Sequence, residues 1–137
     1  AEMLVVTTPA HNAQKVATRV ADMARRSFMK VIGVVENMSE FVTPGGERFA
    51  IFGEGGGEAL AAEIGVPLVA RVPIEPAVSV DGDEGRPAVL ASPDGAAAAA
   101  FRDLAEQIVT DLLPPLELGG CTARILAAAT AAAEALD

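Results

Sequence analysis

Apolar residues fall along this chain in short blocks, separated by polar, glycine and proline punctuation, and their period changes from block to block. Leu4-Val5-Val6-Thr7-Thr8 is a β-branched run and reads as a strand. Pro9 suits the first turn of a helix, and Thr8 is placed to cap it. Ala13, Val16, Ala17, Val20 and Met23 then recur at three- and four-residue steps, which predicts an amphipathic helix of about 18 residues. Lys15, Arg19, Asp22, Arg25 and Arg26 lie between them and form its solvated face. Val31-Ile32-Gly33-Val34-Val35 is continuous rather than alternating, as suits a strand covered on both sides in a parallel sheet. Residues 40–57 are rich in glycine and read as a loop or irregular hairpin around Phe49, Ile51 and Phe52. A helix from about Glu58 to Ile64 follows, stopped by Gly65 and Pro67. Val66–Val72 is a third buried-strand candidate, ended by Pro73-Ile74-Glu75-Pro76. Residues 79–87 read as a polar loop. A long helix over about 94–112 shows Ala97, Phe101, Leu104, Ala105, Ile108 and Leu112 on one stripe. Pro114 and Pro115 stop it, and 121–136 reads as a short Ala-rich helix.

Strands alternating with helices indicate an α/β fold with a parallel sheet. The 137 residues fit one domain, divided here as 1–113 plus a tail, 114–137. Three apolar parallel strands leave at least one sheet edge unpaired, and such an edge is an association site. The chain is therefore expected to pair with itself or a partner, or to be marginally stable.

Composition narrows the function classes. The formal charge is −9, from 10 Lys+Arg against 19 Asp+Glu, and Trp and Tyr are absent. Few cations and few aromatics disfavour nucleic-acid binding. No apolar run is long enough to span a membrane. The opening Ala1-Glu2-Met3-Leu4 lacks the basic region of a signal peptide. One cysteine, Cys121, excludes an intrachain disulfide framework and a self-contained four-cysteine metal site, so a reducing, cytoplasmic setting is expected.

Few residues carry obvious chemistry. Gly53-Glu54-Gly55-Gly56-Gly57 invites a phosphate-loop reading, yet the dinucleotide fingerprint would need glycine where Glu58 stands. The P-loop ends Gly-Lys-Ser/Thr, whereas Lys15 follows Gln14 and Lys30 follows Met29. The glycines read better as a close backbone approach leading into a helix. His11, the single histidine, reads as a surface residue, and Cys121 as a small structural one. No catalytic residue and no metal ligand set stands out. Asn37, in Glu36-Asn37-Met38-Ser39, is more informative. It stands at the carboxyl end of a strand, where open α/β sheets bind ligands. Its amide offers a donor and an acceptor side by side, which suits the edge of adenine; capping its own loop is an equal alternative.

Four blocks together resemble one family: Val6-Thr7-Thr8-Pro9, Gly33-Val34-Val35-Glu36-Asn37-Met38-Ser39, Ile51-Phe52-Gly53-Glu54-Gly55-Gly56-Gly57, and Gly65-Val66-Pro67-Leu68 through Val72-Pro73-Ile74. Their order and spacing over residues 3–112 are similar to Mrp-type (ApbC-like) ATPases, relatives of MinD and ParA. The resemblance implies a three-layer, Rossmann-like P-loop NTPase fold, here incomplete, acting as a homodimer with ATP or ADP and Mg²⁺. It also implies carriage of iron–sulfur clusters to recipient proteins. By the same resemblance Asn37 lies on the adenine side of the nucleotide site, and Pro73, Ile74 and Glu75 form the other wall of the base pocket. The P-loop strand and the acidic metal-binding strand of such proteins precede the first block and are not in this chain, so the chain alone is expected to be inactive in ATP hydrolysis. Many such proteins carry Cys-x-x-Cys between the second and third blocks. Here Val42-Thr43-Pro44-Gly45-Gly46 offers no thiolate, which argues against cluster binding by this stretch. Two alternatives stand beside the ATPase reading: a non-catalytic interaction module of the same fold, and a split ATPase completed by a separate P-loop chain.

Overall fold

The computed structural model describes residues 1–113, so the Ala-rich tail and Cys121 lie outside the described residues. Its core is a parallel sheet of β1 (Glu2–Thr7), β2 (Lys30–Val42) and β4 (Leu68–Ile74), with β2 in the middle. The short β3 (Arg48–Phe49) turns back antiparallel on the end of β2, pairing Phe41 with Phe49 and Val42 with Arg48. The sheet is thus mixed rather than wholly parallel. Between strands run α1 (His11–Arg26) and α2 (Gly56–Ile64), and after β4 come α3 (Pro76–Asp83), α4 (Ala88–Ala91) and α5 (Ala96–Gln107), closed by a π turn over Ile108–Leu112.

The layers follow from the alternation of side chains across β2. Val34 points to one face, where Val5, Val31, Leu60, Ala61 and Ile64 meet α1 and α2. Val35 points to the other, where Val69, Val72 and Ala97 meet α5. All residues from Val31 to Glu36 are buried, which is why the run shows no period of two. Gly33 is needed there because a Cβ would come within 2.7 Å of Val69 Cγ1.

Several expectations are corrected. Helix α1 begins at His11, so Pro9 stands before it; Thr8 does not cap it, and no side chain does. Its buried face is the small-residue row Ala17, Ala21 and Ala24, while Val16, Val20 and Met23 remain exposed. Alanines let α1 lie close on the sheet and against α2, where Arg25 donates to the Ile64 carbonyl. β2 runs seven residues past Val35, and β4 runs through Pro73 to Ile74. Residues 79–87 are not all loop: Pro76 starts α3, pre-set for the first helical turn. Arg86 ties the end of that segment to Asp81 and Glu84. On α5, Ala97 and Ala98 are buried, whereas Phe101 and Ala105 turn outward.

Candidate functional site

Two helices start beside the carboxyl ends of the strands, and neither has a side-chain cap of its own. A helix start leaves backbone N–H groups unpaired and carries partial positive charge, so it calls for an anion. Glu36, at the end of the buried run of β2, supplies one. Its side chain is 3% exposed, and its Oε2 accepts the Gly57 N–H at 2.5 Å. Gly57 has to be glycine for this approach, since a Cβ would lie 2.7 Å from Glu36 Cβ and 2.8 Å from Oε2. The second oxygen, Oε1, faces Arg71 Nε at 3.3 Å. Arg71 lies on β4, where it pairs in register with Glu36, and its guanidinium also reaches Glu58 of α2. That hydrogen bond to Glu58 holds the Arg71 guanidinium above its ordinary range; partial burial opposes the shift, and the charges of Glu58 and Glu36 add to it.

Beside this triad opens a cavity of about 670 Å³. Glu36, Arg71 and Pro73 form its floor, the start of α2 one wall, and Glu40, Arg48 and Ala50 of the β2–β3 hairpin the other. The role of Glu36 emerges only in the folded chain. Its signal was present: a lone carboxylate closing a five-residue apolar run, with a glycine-led helix lacking its own cap further on.

Asn37 opens elsewhere. It lines a groove of about 450 Å³ along β1 with Leu4–Thr8 and with Ala13, Val16, Ala17 and Val20 of α1. Among the described residues β1 pairs only with β2, so this groove follows an unpaired sheet edge. Asn37 Oδ1 accepts the Met38 N–H at 2.9 Å, and Met38 sits at φ 56 in a break of the β2–β4 register. A left-handed non-glycine residue at the mouth of a sheet is a strained conformation that the surroundings must hold. Ser39 helps to hold it, donating to the Val72 carbonyl at 3.2 Å. The Asn37 oxygen is thus engaged locally, while its amide nitrogen makes no hydrogen bond to another described residue.

The four residues expected at a base site share one end of the sheet without lining one cavity. Pro73 belongs to the acidic cavity and to a second hollow against α5, not to the Asn37 groove. Ile74 pairs with Phe41 in register. Glu75 caps α5: its Oε2 accepts the Ala97 N–H at 2.9 Å, and Gly95 leaves room for the carboxylate. Among the described residues no group of three or more His, Cys, Asp or Glu is placed to hold a metal ion. No helix among them is long and apolar enough to cross a membrane. With no Gly-Lys-Ser/Thr in the chain, the residues present do not fit Mg²⁺–phosphate chemistry.

A parallel three-strand core with helices on both faces, and with its open grooves at the strand ends, defines a Rossmann-like α/β domain of the MinD/ParA class. Solved structures agree. The cell-division ATPase MinD of Pyrococcus furiosus superposes with a TM-score of 0.64 at 29% identity, over 79% of this chain and 42% of its own. A nucleotide-binding protein of Archaeoglobus fulgidus, in complex with ADP, gives 0.54 at 32% identity over 62% and 35%. The model of the NUBPL iron-transfer P-loop NTPases, in the ParA group, matches residues 1–109, and the chain belongs to this family. Among curated relatives, the iron–sulfur cluster carrier protein of Mycobacterium tuberculosis is 42% identical over 116 residues, which is 80% of this chain and 30% of that protein. The cytosolic Fe-S cluster assembly factor NUBP2 of Bos taurus is 38% identical over 109 residues, 79% of this chain and 40% of that protein. The chain spans between about a quarter and two-fifths of the length of such relatives.

Proposed function

We propose that this chain is the adenine-side portion of an ATP-binding domain in a cytoplasmic iron–sulfur cluster carrier system, completed at the β1 edge by a P-loop-bearing portion. That portion belongs to the same protein or to a separate P-loop-bearing chain, and the completed domain would work as a homodimer. The observation that carries the reading is the groove along β1. An unpaired strand edge flanked by Val6 on one side and Val16 and Val20 on the other offers backbone pairing and apolar cover to one more strand. Asn37 stands at the carboxyl end of that groove, with an amide N–H₂ available to a purine ring nitrogen. Pro73 and Ile74, at the end of the neighbouring strand, would close over the base. Glu75 is better read as the support of that loop than as a nucleotide contact. The chain alone has no residues for ATP hydrolysis, and recipient proteins of the cluster would dock on the completed domain.

Thermal unfolding with Mg–ATP, Mg–ADP and Mg–GTP tests this, first on the chain alone and then with the P-loop-bearing portion of a relative added. Binding to the native state at ~100 times Kd adds about 2.7 kcal/mol, a readable shift. The expected result is an adenine-selective shift that grows when the second portion is present and falls on Asn37→Ala. A cooperative melt indifferent to nucleotide under both conditions would overturn it. The missing P-loop would then favour the second reading, a non-catalytic interaction module.

A further inference from the structure

We infer that this chain's own residues do not hold an iron–sulfur cargo, and that its β2–β3 hairpin is a metal-free clasp that walls the acidic cavity. Iron–sulfur clusters are held by four thiolates, or by two thiolates and two imidazoles in one variant. The chain has one Cys and one His, and neither lies between Phe41 and Phe49. The donor chemistry of the hairpin therefore does not fit a cluster. Zinc takes four Cys, His or carboxylate ligands, and among the described residues no three such groups, Glu40 and Glu47 included, are placed to hold a metal ion.

The hairpin is closed by other means. Thr43 N–H donates to the Glu47 carbonyl at 2.9 Å, and Gly46 N–H to the Thr43 carbonyl at 2.9 Å. Glu47 N–H donates to Thr43 Oγ1 at 3.1 Å. Arg48 pairs with Glu40 across the two strands at 2.5 Å. Three hydrogen bonds thus close the turn, and its cross-strand ion pair lines the cavity. The hairpin orders itself with no metal and gives Glu40, Arg48 and Ala50 to the cavity wall. The hairpin supplies no thiolate or imidazole to any cluster that a complete assembly carries. This inference does not rest on the nucleotide reading: nucleotide-dependent melting reports the Asn37 groove, whereas iron and sulfide content reports the ligands.

The test uses the 137-residue chain and its Cys121→Ser, His11→Ala and Thr43→Ala variants. Each is incubated anaerobically with ferrous iron and sulfide, or with Zn²⁺, then desalted and assayed for bound metal and visible absorption. Tryptic cleavage after Arg48 is followed in parallel, with and without EDTA. The expected result is no stoichiometric cluster or zinc, a cleavage rate indifferent to Zn²⁺ and EDTA, and several-fold faster cleavage in the Thr43→Ala variant. A stoichiometric cluster or zinc would overturn the inference, whether or not it survives in the Cys121→Ser and His11→Ala variants. So would a hairpin that only metal protects and that ignores Thr43→Ala.

Discussion

Two glutamates leave neighbouring strands of one sheet and solve the same problem on opposite faces. Glu36 ends the buried run of β2 and caps α2; Glu75 follows β4 and caps α5. Each meets a glycine that makes room for its carboxylate, Gly57 in one case and Gly95 in the other. Their surroundings differ. Glu36 is buried, and its second oxygen is matched by Arg71, which in turn holds Glu58. Glu75 is half-buried and has no cation against it among the described residues. One carboxylate is thus built into the core and the floor of a cavity, while the other is a local cap. A buried charge binds a whole neighbourhood to its presence, because removing either partner leaves the other without compensation.

That contrast can be broken experimentally, most strongly at Glu36. Glu36→Ala removes the Gly57 cap and a charge partner of Arg71, and is expected to cost about 2–3 kcal/mol, short of a fully buried pair because Arg71 is half exposed. Urea unfolding with an unchanged m-value would check it; a loss below that of the corresponding Glu75 variant would erase the distinction. The two glycines come next. Gly57→Ala drives a Cβ into the Cβ and Oε2 of an immobile Glu36 and should cost about 1–3 kcal/mol. Gly95→Ala meets only the carboxylate end of Glu75, which can swing away, so thermal melts should show a clearly smaller drop. Equal losses would mean that both carboxylates are equally fixed. The smallest effect is expected from Glu75→Gln, about 0.5–1 kcal/mol, since an amide oxygen still accepts the Ala97 N–H but lacks the charge. Amide exchange should rise in the first turn of α5 and nowhere else.

The strands β1, β2 and β4 and the helices between them were legible because their apolar runs and glycine and proline stops are local signals. The parallel sheet and the family followed from the same blocks, whereas the strand order, with β2 in the middle, came from the structure. What escaped depended on partners distant in the chain. The role of Glu36 needed Gly57, and that of Glu75 needed Ala97, neither of which any period announces. On α1 two rows compete, valines beside alanines. Hydrophobicity favoured Val16, Val20 and Met23 beside Ala13 and Ala17, whereas the need for close approach kept Ala17 inside and set Ala21 and Ala24 beside it. Helix α3 buries no residue, so the stretch showed no apolar stripe, and its polar residues read as loop. The structure places Asn37, Pro73, Ile74 and Glu75 at one end of the sheet. That Asn37 faces the β1 groove and Pro73 the acidic cavity depends on which neighbouring strand each lies beside, which no composition rule indicates.

The order of the strands has a kinetic consequence. β1, β2 and β4 lie side by side in the order of the chain, each joined to the next through a single intervening segment, so no strand waits to be slotted between two others. Any further strand joins at the outside, by lateral addition rather than threading. Completion by a separate piece would then follow second-order kinetics, with a rate proportional to the concentration of the added portion and no slow unfolding step of the acceptor before it. A complementation experiment that showed a concentration-independent lag would mean that the sheet has to open first.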